Sequence, residues 1–582
     1  MRKTKIVCTL GPATDKQDVL RDMALAGMDV ARFNFSHGDH EEQLGRLNKL
    51  KALREDLKIH IAALLDSKGP EIRLGNFTKG KVILKAGQAF VLTPRDVDGD
   101  ESVASITFKN LYSDVTVGSR ILIDDGKIEM MVKEIRGEDI VCQVLNGGVV
   151  SNHKGVNVPG IHLSMPYLSP QDRSDILFGV ENGFDFIAAS FTRSARDIHD
   201  IRELLNENGG GNIKIIAKIE NQEGVNNIDE ILTASNGIMI ARGDMGVEID
   251  FTEIPIIQKS LIEKCYNSGR PAITATQMLD SMITSPRPTR AEITDVANAI
   301  YDGTSAIMLS GETAAGHYPV QAVRTMAAIA LRTEQDISYQ SLFKARLSAE
   351  RRLSVTESVA HATCTTAIDT GADAILTVTR SGETARLISK YRPSTPIISC
   401  VMDEDIARQL NLSWGIAPVV MPYAANTDEM IDFSVVAAQK AGLVRSGDLV
   451  IITAGVPVGV SGTTNMMKAH LIGDALATGV GISELNATGT VCVCQQPSDF
   501  TDKFKSGDIL VTTATTNDML DYMKDACAII TEENGTNSHA AIVGLTLDKP
   551  VIVGVSGATD KLLDGQHISV DSKKGIIRAM PD

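Results

Sequence analysis

Three charged residues in the middle of the chain have the types and spacing of a phosphate-handling site. The segment IKIIAKIENQEG contains Lys218 and Glu220, and the segment GIMIARGDMG contains Asp244. Hard divalent cations such as Mg²⁺ prefer oxygen ligands, while a lysine offers a compact positive charge to a phosphoryl group. Any one of these residues alone would fit a surface ion pair. Charges at strand ends beside glycine are more typical of a site, so the segments predict a divalent metal and a phosphate.

These residues follow short apolar runs that recur through the first 310 residues of the chain. Amphipathic helical stretches, such as 195–208, separate most of the runs. Apolar strands that alternate with helices predict a parallel sheet covered by helices, and eight units fit a closed (β/α)₈ TIM barrel better than an open sheet. The predicted strands are 4–8, 28–34, 60–65, 185–190, 213–220, 237–241, 271–275 and 305–310.

Polar side chains cluster where the predicted strands stop. In barrels of this kind the chemistry lies at the C-terminal ends of the strands, so we expect these side chains to meet at one face. The residues are Arg32, Asn34, Asp66, Ser190, Glu220, Asp244, Thr276 and Ser310.

The sequence predicts an α/β protein of four domains. Between the third and fourth barrel strands, short β segments with Gly and Asp turns predict an inserted all-β lid. Beyond a polar helical linker (332–352), four apolar segments (ADAILTVT, TPIISCVM, IAPVVMPY and GDLVIITAG) predict an open α/β domain. The predicted domains are a catalytic barrel (1–70 and 167–335), the lid (71–166), an α/β regulatory domain (336–473) and a swivelling-type β/α module (474–582).

Composition narrows the classes of partner. The 57 basic and 73 acidic residues give a net charge of −16, which argues against binding to nucleic acid or to an anionic membrane. The 8 cysteines are scattered, as is typical of reduced thiols. No apolar run approaches the roughly 20 residues of a membrane span, and the first residues lack a signal-peptide core. We therefore expect a soluble, cytoplasmic protein.

Six segments at the predicted strand ends resemble the pyruvate kinase family in residue types and in order. The resemblance covers about residues 1–473. It implies phosphoryl transfer between phosphoenolpyruvate and ADP to give pyruvate and ATP, the last step of glycolysis, in a homotetramer. The segments are ARFNFSHG (31–38), LDSKGPEIR (65–73), KIENQEGV (218–225), ARGDMGVEI (241–249), TATQMLDSM (274–282) and RPTRAEITDVANAIYDGTSAIMLSGETA (287–314).

The resemblance implies roles for the charged residues. Lys218 would contact the transferred phosphoryl group, and Glu220 with Asp244 would bind Mg²⁺ or Mn²⁺. Arg32, and Arg73 at the hinge of the lid, would clamp phosphate oxygens bidentately, which a lysine could not do.

The resemblance also implies a substrate face. Thr276, Ser310 and Glu312 would line the side on which the enolate is protonated, with the proton donor left open. Backbone N–H groups near Gly243 and Asp244 would orient the substrate carboxylate, since a glycine lets the backbone approach closely.

A monovalent cation site follows from the same resemblance. Asn34, Ser36, Asp66 and Ser67 match the oxygen cage that normally holds K⁺ in this family, with Ser67 in place of the more usual Thr. Family members with Glu at the position of Glu71 tend to require K⁺, and we therefore predict K⁺ dependence.

The α/β domain contains a candidate effector loop. The segment TVTRSGETAR (377–386) places small, hydroxyl and glycine residues between a strand and a helix, a geometry that presents N–H groups to phosphate. Its family counterpart binds a phosphorylated effector, with 455–465 as its neighbour. The negative charge of Glu383 favours AMP or a sugar monophosphate over a bisphosphate. The loop residues are Thr379, Arg380, Ser381, Gly382, Glu383 and Thr384.

The C-terminal segment 533–555 resembles the swivelling phosphohistidine domain of phosphoenolpyruvate synthase and pyruvate phosphate dikinase. His539 stands at the position of the phosphorylated histidine. Asn537 replaces the usual Thr, and the usual glycine pair is reduced to Gly535. We therefore favour a structural or regulatory appendage over a phosphocarrier.

Three other functions remain to be weighed. A dikinase-like phosphotransferase would work through His539 but would need an ATP-grasp domain, which we do not find in the sequence. A metal-dependent carbon–carbon lyase would use Glu220 and Asp244 but would not need Arg32 or the lid. A catalytically silent binding protein would not need Lys218 and its two acidic neighbours intact.

Overall fold

The computed structural model describes residues 1–346, 353–456, 464–473 and 475–580. Eight parallel strands close a barrel in which each strand pairs with the next along the chain and the last pairs with the first. The TIM barrel and all eight of its predicted strands are confirmed, with ends within two residues of the prediction. The strands are Lys5–Thr9, Val30–Asn34, Ala62–Asp66, Phe186–Ala189, Lys214–Ile219, Gly237–Ala241, Ala272–Ala275 and Ala306–Leu309.

Helices surround the barrel, and their ends follow the sequence. Ser169 and Thr289 each begin a helix with a capping box, and Gly183 and Gly303 end those helices in the left-handed conformation. The first helix starts at Val19, after a 3₁₀ turn at Pro12–Asp15. The helices are Val19–Ala26, His40–Leu57, Pro170–Asn182, Ala195–Glu207, Gln222–Asn226, Ile228–Ala234, Arg242–Glu248, Ile254–Ser268, Arg290–Asp302, Gly311–Ala314 and Pro319–Asp336.

Two apolar layers hold the barrel strands in place. Inward-facing residues such as Val7, Leu64 and Met239 fill the barrel, and outward-facing residues such as Ile6 and Ile240 pack beneath the helices. All of these side chains are fully buried. Because the strands are parallel and packed on both faces, their C-terminal ends form one rigid rim.

The insertion after the third barrel strand is almost entirely β structure, with one short helix at Leu111–Asp114. One sheet has the spatial order Ile72–Arg73, Gly155–Asn157, Arg120–Ile123, Ile128–Arg136, Asp139–Asn146, Ala89–Thr93 and Val103–Ser105. The strands Lys81–Leu84 and Gly148–Ser151 form a separate pair.

The region after the barrel is an open α/β sheet. Its spatial order is Ile416–Val420, Ile397–Val401, Ala374–Val378, Leu449–Gly455 and Thr464–Leu471. The first four strands confirm the prediction, and the fifth was not predicted. The helices are Tyr339–Arg346, Val355–Asp369, Glu383–Lys390, Glu404–Leu410 and Thr427–Lys440. The predicted linker 332–352 is helical at 332–336 and at 339–346, with Ile337 and Ser338 outside the helices, and residues 347–352 lie outside the described chain.

The C-terminal module is a β/α unit around an eight-stranded sheet. Its spatial order is Ala475–Thr478, Ile576–Ala579, His567–Asp571, Asn486–Val493, Ile509–Thr512, Ala528–Thr531, Val551–Val553 and Val480–Gly481. Its helices are Pro497–Asp502, Leu520–Asp525, His539–Thr546 and Ala558–Lys561.

By compactness the chain divides into two units. The first comprises 1–368, 377–430 and 453–466, and the second comprises 369–376, 431–452 and 467–582. Among the helices described, none is both long and apolar enough to cross a membrane.

Candidate active site

Lys218 is the centre of a buried charged cluster at the barrel rim. It lies near the end of the fifth strand, Lys214–Ile219. Its Nζ donates to Ser190 Oγ at 2.7 Å and to Asp66 Oδ1 at 3.0 Å, and lies 3.0 Å from Glu220 Oε1. Burial alone would lower the pKa of Lys218, but the two carboxylates raise it well above its usual value. The ammonium group is therefore charged and held in one place.

Asp66 joins Lys218 to Arg32. The Arg32 Nε donates to Asp66 Oδ2 at 2.6 Å, and its Nη1 donates to Thr9 Oγ1 at 2.8 Å. Burial would raise the pKa of Asp66, but the charges of Arg32 and Lys218 hold it below its usual value. One carboxylate thus orients two cations at the end of the barrel.

The two predicted metal ligands differ in exposure. Glu220 is 1% exposed and accepts a hydrogen bond from the Phe191 backbone N–H. Asp244 is exposed, on the first turn of the helix Arg242–Glu248. Burial, together with the charge of Asp244, raises the pKa of Glu220 to about 7, even though Lys218 opposes the shift.

These two carboxylates suit a cation that also takes ligands from a substrate. Their mutual repulsion would be relieved by a positive ion. In the part of the chain that the structure describes, no group of three or more His, Cys, Asp or Glu side chains could hold a metal. Two protein carboxylates completed by substrate oxygens are the usual arrangement for Mg²⁺.

The predicted K⁺ ligands lie at the ends of two adjacent barrel strands and in the residues that follow them. Asn34 and Asp66 are register partners on adjacent strands. Asn34 Oδ1 accepts the Ser36 backbone N–H at 3.1 Å, and the Ser36 side chain is exposed. The Ser67 hydroxyl is buried and donates to the Ala188 carbonyl at 3.2 Å.

Thr276 occupies a strained turn after the seventh strand. Thr276 and Gln277 have φ angles of 66° and 55°, which are uncommon for residues other than glycine. Thr276 Oγ1 donates to the Ala275 carbonyl at 2.7 Å and accepts the Gly243 N–H at 2.8 Å. The Gly243 N–H that we predicted to orient the substrate is therefore engaged within the protein in this structure.

Arg242 supports this turn through hydrogen bonds to its backbone carbonyls. Its Nε donates to the Ala275 carbonyl at 3.2 Å, and its Nη2 donates to the Thr276 carbonyl at 2.8 Å. Its Nη1 donates to Asp295 at 2.8 Å. The guanidinium group therefore fixes the backbone on both sides of Thr276.

Glu312 and Ser310 lie at the end of the eighth strand. The Glu312 carboxylate is 1% exposed and accepts the N–H groups of Ser310 at 2.7 Å and Leu279 at 3.1 Å. Burial raises the pKa of Glu312. The Ser310 hydroxyl is buried and lacks a hydrogen-bond partner among the described residues. Glu312 therefore positions two loops, while the Ser310 hydroxyl is available to a bound group.

Arg73 lies on the lid. Its guanidinium group forms an ion pair with Glu71 at 2.8 Å and donates to the His153 carbonyl at 2.8 Å. Arg73 is thus engaged by lid residues in this structure, and its predicted phosphate contact would require it to leave them.

A cavity of about 370 Å³ lies between the lid and the barrel. Its polar lining includes Glu71, Asn157, Asn221 and Glu248, and Phe191 places it beside the Lys218 cluster. Asn157 Nδ2 donates to Glu248 Oε1 at 2.8 Å, which ties the lid to the barrel across one side.

The candidate effector loop leads into the helix Glu383–Lys390. Gly382 precedes the helix with φ 79° and donates its N–H to Thr379 Oγ1 at 3.1 Å. The Thr384 hydroxyl is buried and lies 2.7 Å from the Thr464 hydroxyl. The loop thus uses two of its hydroxyls internally. Its neighbour 455–465 lies mostly outside the described residues, which omit 457–463.

The charged members of the loop, Arg380 and Glu383, are exposed, and Ser381 is half-buried. The Ser381 carbonyl accepts a hydrogen bond from Arg386 Nη2 at 2.8 Å. The loop is therefore braced from the following helix while its charges face solvent.

His539 begins the helix His539–Thr546 of the C-terminal module. Its Nδ1 lies 2.8 Å from Thr515 Oγ1, and its Nε2 lies 3.0 Å from Asn517 Oδ1. Both ring nitrogens are engaged, so phosphorylation would require one contact to open.

Two residues of the site were not singled out from the sequence. Thr9 ends the first strand and holds Arg32, and Arg242 follows the sixth strand and holds the Thr276 turn. Their positions directly at strand ends are the signal that could have identified them. Ser190 was placed at the rim, but its bond to Lys218 follows only from the structure.

Together these groups form a rim where a phosphate could be neutralised and held. Lys218 and Arg32 supply fixed positive charge, and Glu220 and Asp244 supply oxygen ligands. Ser310 supplies a hydroxyl that has no partner among the described residues. Phosphoryl transfer depends mainly on such positioning and charge stabilisation.

Comparison with known proteins gives matches to three family models along the chain. Residues 1–323 match the pyruvate kinase barrel domain, and residues 357–470 match the pyruvate kinase alpha/beta domain. Residues 504–575 match the mobile domain of PEP-utilising enzymes.

Curated relatives match almost from end to end. Pyruvate kinase from Geobacillus stearothermophilus is 51% identical over 578 residues, with 99% of this chain and 98% of the relative covered. Pyruvate kinase from Bacillus licheniformis is 48% identical over 579 residues, with 99% of both covered. A crystal structure of a pyruvate kinase from Cryptosporidium parvum matches with a TM-score of 0.77 at 40% identity, covering 81% of this chain and 96% of that chain.

Proposed function

This chain belongs to the pyruvate kinase family, and we propose that its phosphoryl transfer runs through the Lys218 cluster at the barrel rim. It is a phosphotransferase that converts phosphoenolpyruvate and ADP into pyruvate and ATP. The observation that supports the proposed site is the Lys218 ammonium group, buried and within 3.0 Å of oxygens of Asp66, Ser190 and Glu220.

Lys218 and Arg32 neutralise the phosphoryl group as it moves from the enol oxygen to ADP. Lys218 is fixed in a buried site, where a charge acts more strongly than in water. Asp66 and Ser190 are positioning residues, because Asp66 accepts hydrogen bonds from both Arg32 and Lys218 and Ser190 accepts one from Lys218. Arg73 binds the substrate phosphate once it has left its ion pair with Glu71.

Glu220 and Asp244 would hold Mg²⁺ or Mn²⁺. When bound, the ion would polarise phosphoryl oxygens and offset their charge. Glu220 is pre-oriented for this by the Phe191 N–H.

The substrate face formed by Thr276, Ser310 and Glu312 would serve the protonation of the enolate. Loss of the phosphoryl group leaves an enolate, whose carbon takes a proton to give pyruvate. Thr276 and Ser310 line this side with hydroxyls that can order a water molecule, and Glu312 fixes the loop that carries Ser310. The Gly243 N–H would turn from Thr276 to the substrate carboxylate.

Other features of the proposed function come from family membership. Asn34, Ser36, Asp66 and Ser67 would hold K⁺, and Thr379–Thr384 would bind AMP or a sugar monophosphate. The enzyme would act as a cytoplasmic homotetramer at the last step of glycolysis. The four predicted domains would serve as barrel, lid, regulatory domain and appendage.

A coupled assay of pyruvate formation tests this function. The full chain should form pyruvate from phosphoenolpyruvate only with ADP and a divalent cation present, and faster with K⁺ than without it. Pyruvate formation that requires AMP and pyrophosphate in place of ADP would instead indicate a dikinase-like reaction.

The C-terminal module is proposed as a structural or regulatory appendage. Both His539 nitrogens are hydrogen-bonded, and Asn537 stands where the related domains carry Thr. Incubation with ³²P-labelled phosphoenolpyruvate should leave no acid-labile label on the protein. Label that appears on the wild type and disappears in His539→Ala would establish a phosphocarrier.

A further inference from the structure

A group of basic side chains lies at the N-terminal rim of the barrel, opposite the catalytic rim. Lys214 begins the fifth strand, and Arg270 precedes the seventh strand by two residues. Arg202 lies beside them, with its Nη2 donating to the Ile213 carbonyl at 2.9 Å. The fourth member, Arg386, belongs to the helix Glu383–Lys390 of the α/β region.

The contacts of this helix bring Arg386 to the barrel. A cleft is lined by Arg270 and Arg386 together, and the Lys390 side chain packs against Gly269. The charges of the three arginines act on Lys214, and the charge of Arg270 also acts on Arg386. Burial, followed by the charges of Arg386, Arg202 and Arg270, lowers the pKa of Lys214 to about 8. Burial also lowers the pKa of Arg386 to about 10.

None of these four basic side chains forms an ion pair with a carboxylate of the described residues. Arg202 donates to the Gly211 and Ile213 carbonyls and to Asn236 Oδ1, and Arg386 donates to the Ser381 carbonyl. The side chains of Lys214 and Arg270 form no hydrogen bond or ion pair with any described residue. Glu383 is the one described carboxylate whose charge acts on Arg386. Like charges held together in a partly buried site are unfavourable unless an anion accompanies them.

We propose that Lys214, Arg270 and Arg386 bind a phosphate group. Two guanidinium forks and an ammonium group suit the tetrahedral oxygens of a phosphate. The enclosed part of the cleft is only about 20 Å³, so the phosphate binds at its mouth and any attached group extends outward. Free phosphate and a phosphomonoester share this chemistry.

This site is separate from the proposed effector loop because it uses two barrel residues. The two sites are nevertheless connected. Arg386 donates to the Ser381 carbonyl of the loop at 2.8 Å. A phosphate bound by Arg386 and by the two barrel residues therefore connects the backbone of the effector loop to the barrel through Arg386.

The test is the shift in melting temperature that inorganic phosphate causes in the full chain, relative to chloride at equal ionic strength and near pH 7. Two variants, Arg270→Gln and Lys214→Met, each remove one charge from a different element. Lys16→Met removes an exposed charge elsewhere and serves as the control. In chloride, the two cluster variants should be as stable as the wild type or more stable, since each relieves repulsion.

Each cluster variant should need at least about fivefold more phosphate than the wild type for the same shift, and Lys16→Met should respond normally. Titration with AMP and glucose 6-phosphate then separates the sources. A phosphomonoester is indicated if these bind more tightly than phosphate and weaken in the same variants, and free phosphate if they do not. An unchanged response in both cluster variants, or an equal loss in Lys16→Met, would overturn the proposal. Should one variant fail to fold, the other decides.

Discussion

At the residue scale, the site is a small set of charges that fix one another. Lys218 and Glu220 were predicted as site residues because charges near the end of a strand, followed by glycine, are typical of a site. The partners of Lys218 could not be predicted in the same way. Its bonds to Asp66 and Ser190 join three strands, and their geometry depends on barrel closure.

The K⁺ requirement is the first prediction at this scale. Replacing K⁺ by a bulky cation such as tetramethylammonium should lower the rate of pyruvate formation by roughly tenfold or more, because a fixed positive charge near the phosphate is lost. Glu71 cannot supply that charge and is itself paired with Arg73.

Glu71→Lys supplies the matched comparison, since it places a positive charge where the wild type has a carboxylate. This variant should keep a larger fraction of its activity without K⁺ than the wild type does. Equal wild-type rates with and without K⁺ would contradict the prediction.

At the element scale, the turn after the seventh strand shows where sequence patterns stop being informative. Thr276 was predicted at a strand end, but its φ of 66° was not. Such a conformation costs energy in a residue other than glycine and is maintained by surrounding contacts. Here those contacts come from Arg242, whose two partners in the turn lie 33 and 34 residues away along the chain. The unpredicted edge strand Thr464–Leu471 is a similar case, since most of its side chains are not buried and it lacks an apolar alternation.

Arg242→Gln should lower kcat for pyruvate formation by roughly 10- to 100-fold, because the turn that carries Thr276 loses its support and small displacements are costly in catalysis. Asp295→Asn is the matched control. It removes one partner of Arg242 but leaves the bonds from Arg242 to the Ala275 and Thr276 carbonyls. A wild-type kcat in Arg242→Gln would show that the turn holds its shape without the arginine.

At the scale of the whole molecule, the order of strands and helices was readable because apolar runs and capping residues are local signals. Eight barrel strands and four strands of the α/β sheet were located this way. Contacts between distant segments were not readable. Lys3, near the start of the chain, donates to the carbonyls of Pro393 at 3.0 Å and Ser394 at 2.8 Å. No local sequence pattern predicts these hydrogen bonds.

Lys3 gives a pH prediction for the stability of the chain. Burial lowers the pKa of Lys3 to about 8, with Glu334 opposing and Arg392 adding to the shift. Between this value and the ordinary lysine pKa of 10.5, the unfolded chain binds more protons than the folded chain. The cost of burying the charge is therefore present below pH 8 and is relieved as the pH rises.

The melting temperatures of wild type and Lys3→Met, compared from pH 7 to pH 10, measure this effect. The wild type should gain stability relative to the variant as the pH rises, by at most about 3 kcal/mol. A constant difference across this range, or a relative loss by the wild type, would show that Lys3 titrates normally.

The central claim is that Lys218 stabilises the phosphoryl group during its transfer, and the kinetics of Lys218→Met test it most directly. We expect kcat to fall by roughly 10³-fold or more while the KM for phosphoenolpyruvate changes only a few-fold, because the charge matters most as the phosphoryl group moves. Lys16→Met, which removes a surface charge, should behave as the wild type. Comparable losses in kcat and in substrate affinity would reduce Lys218 to a binding residue, and an unchanged kcat would contradict the account.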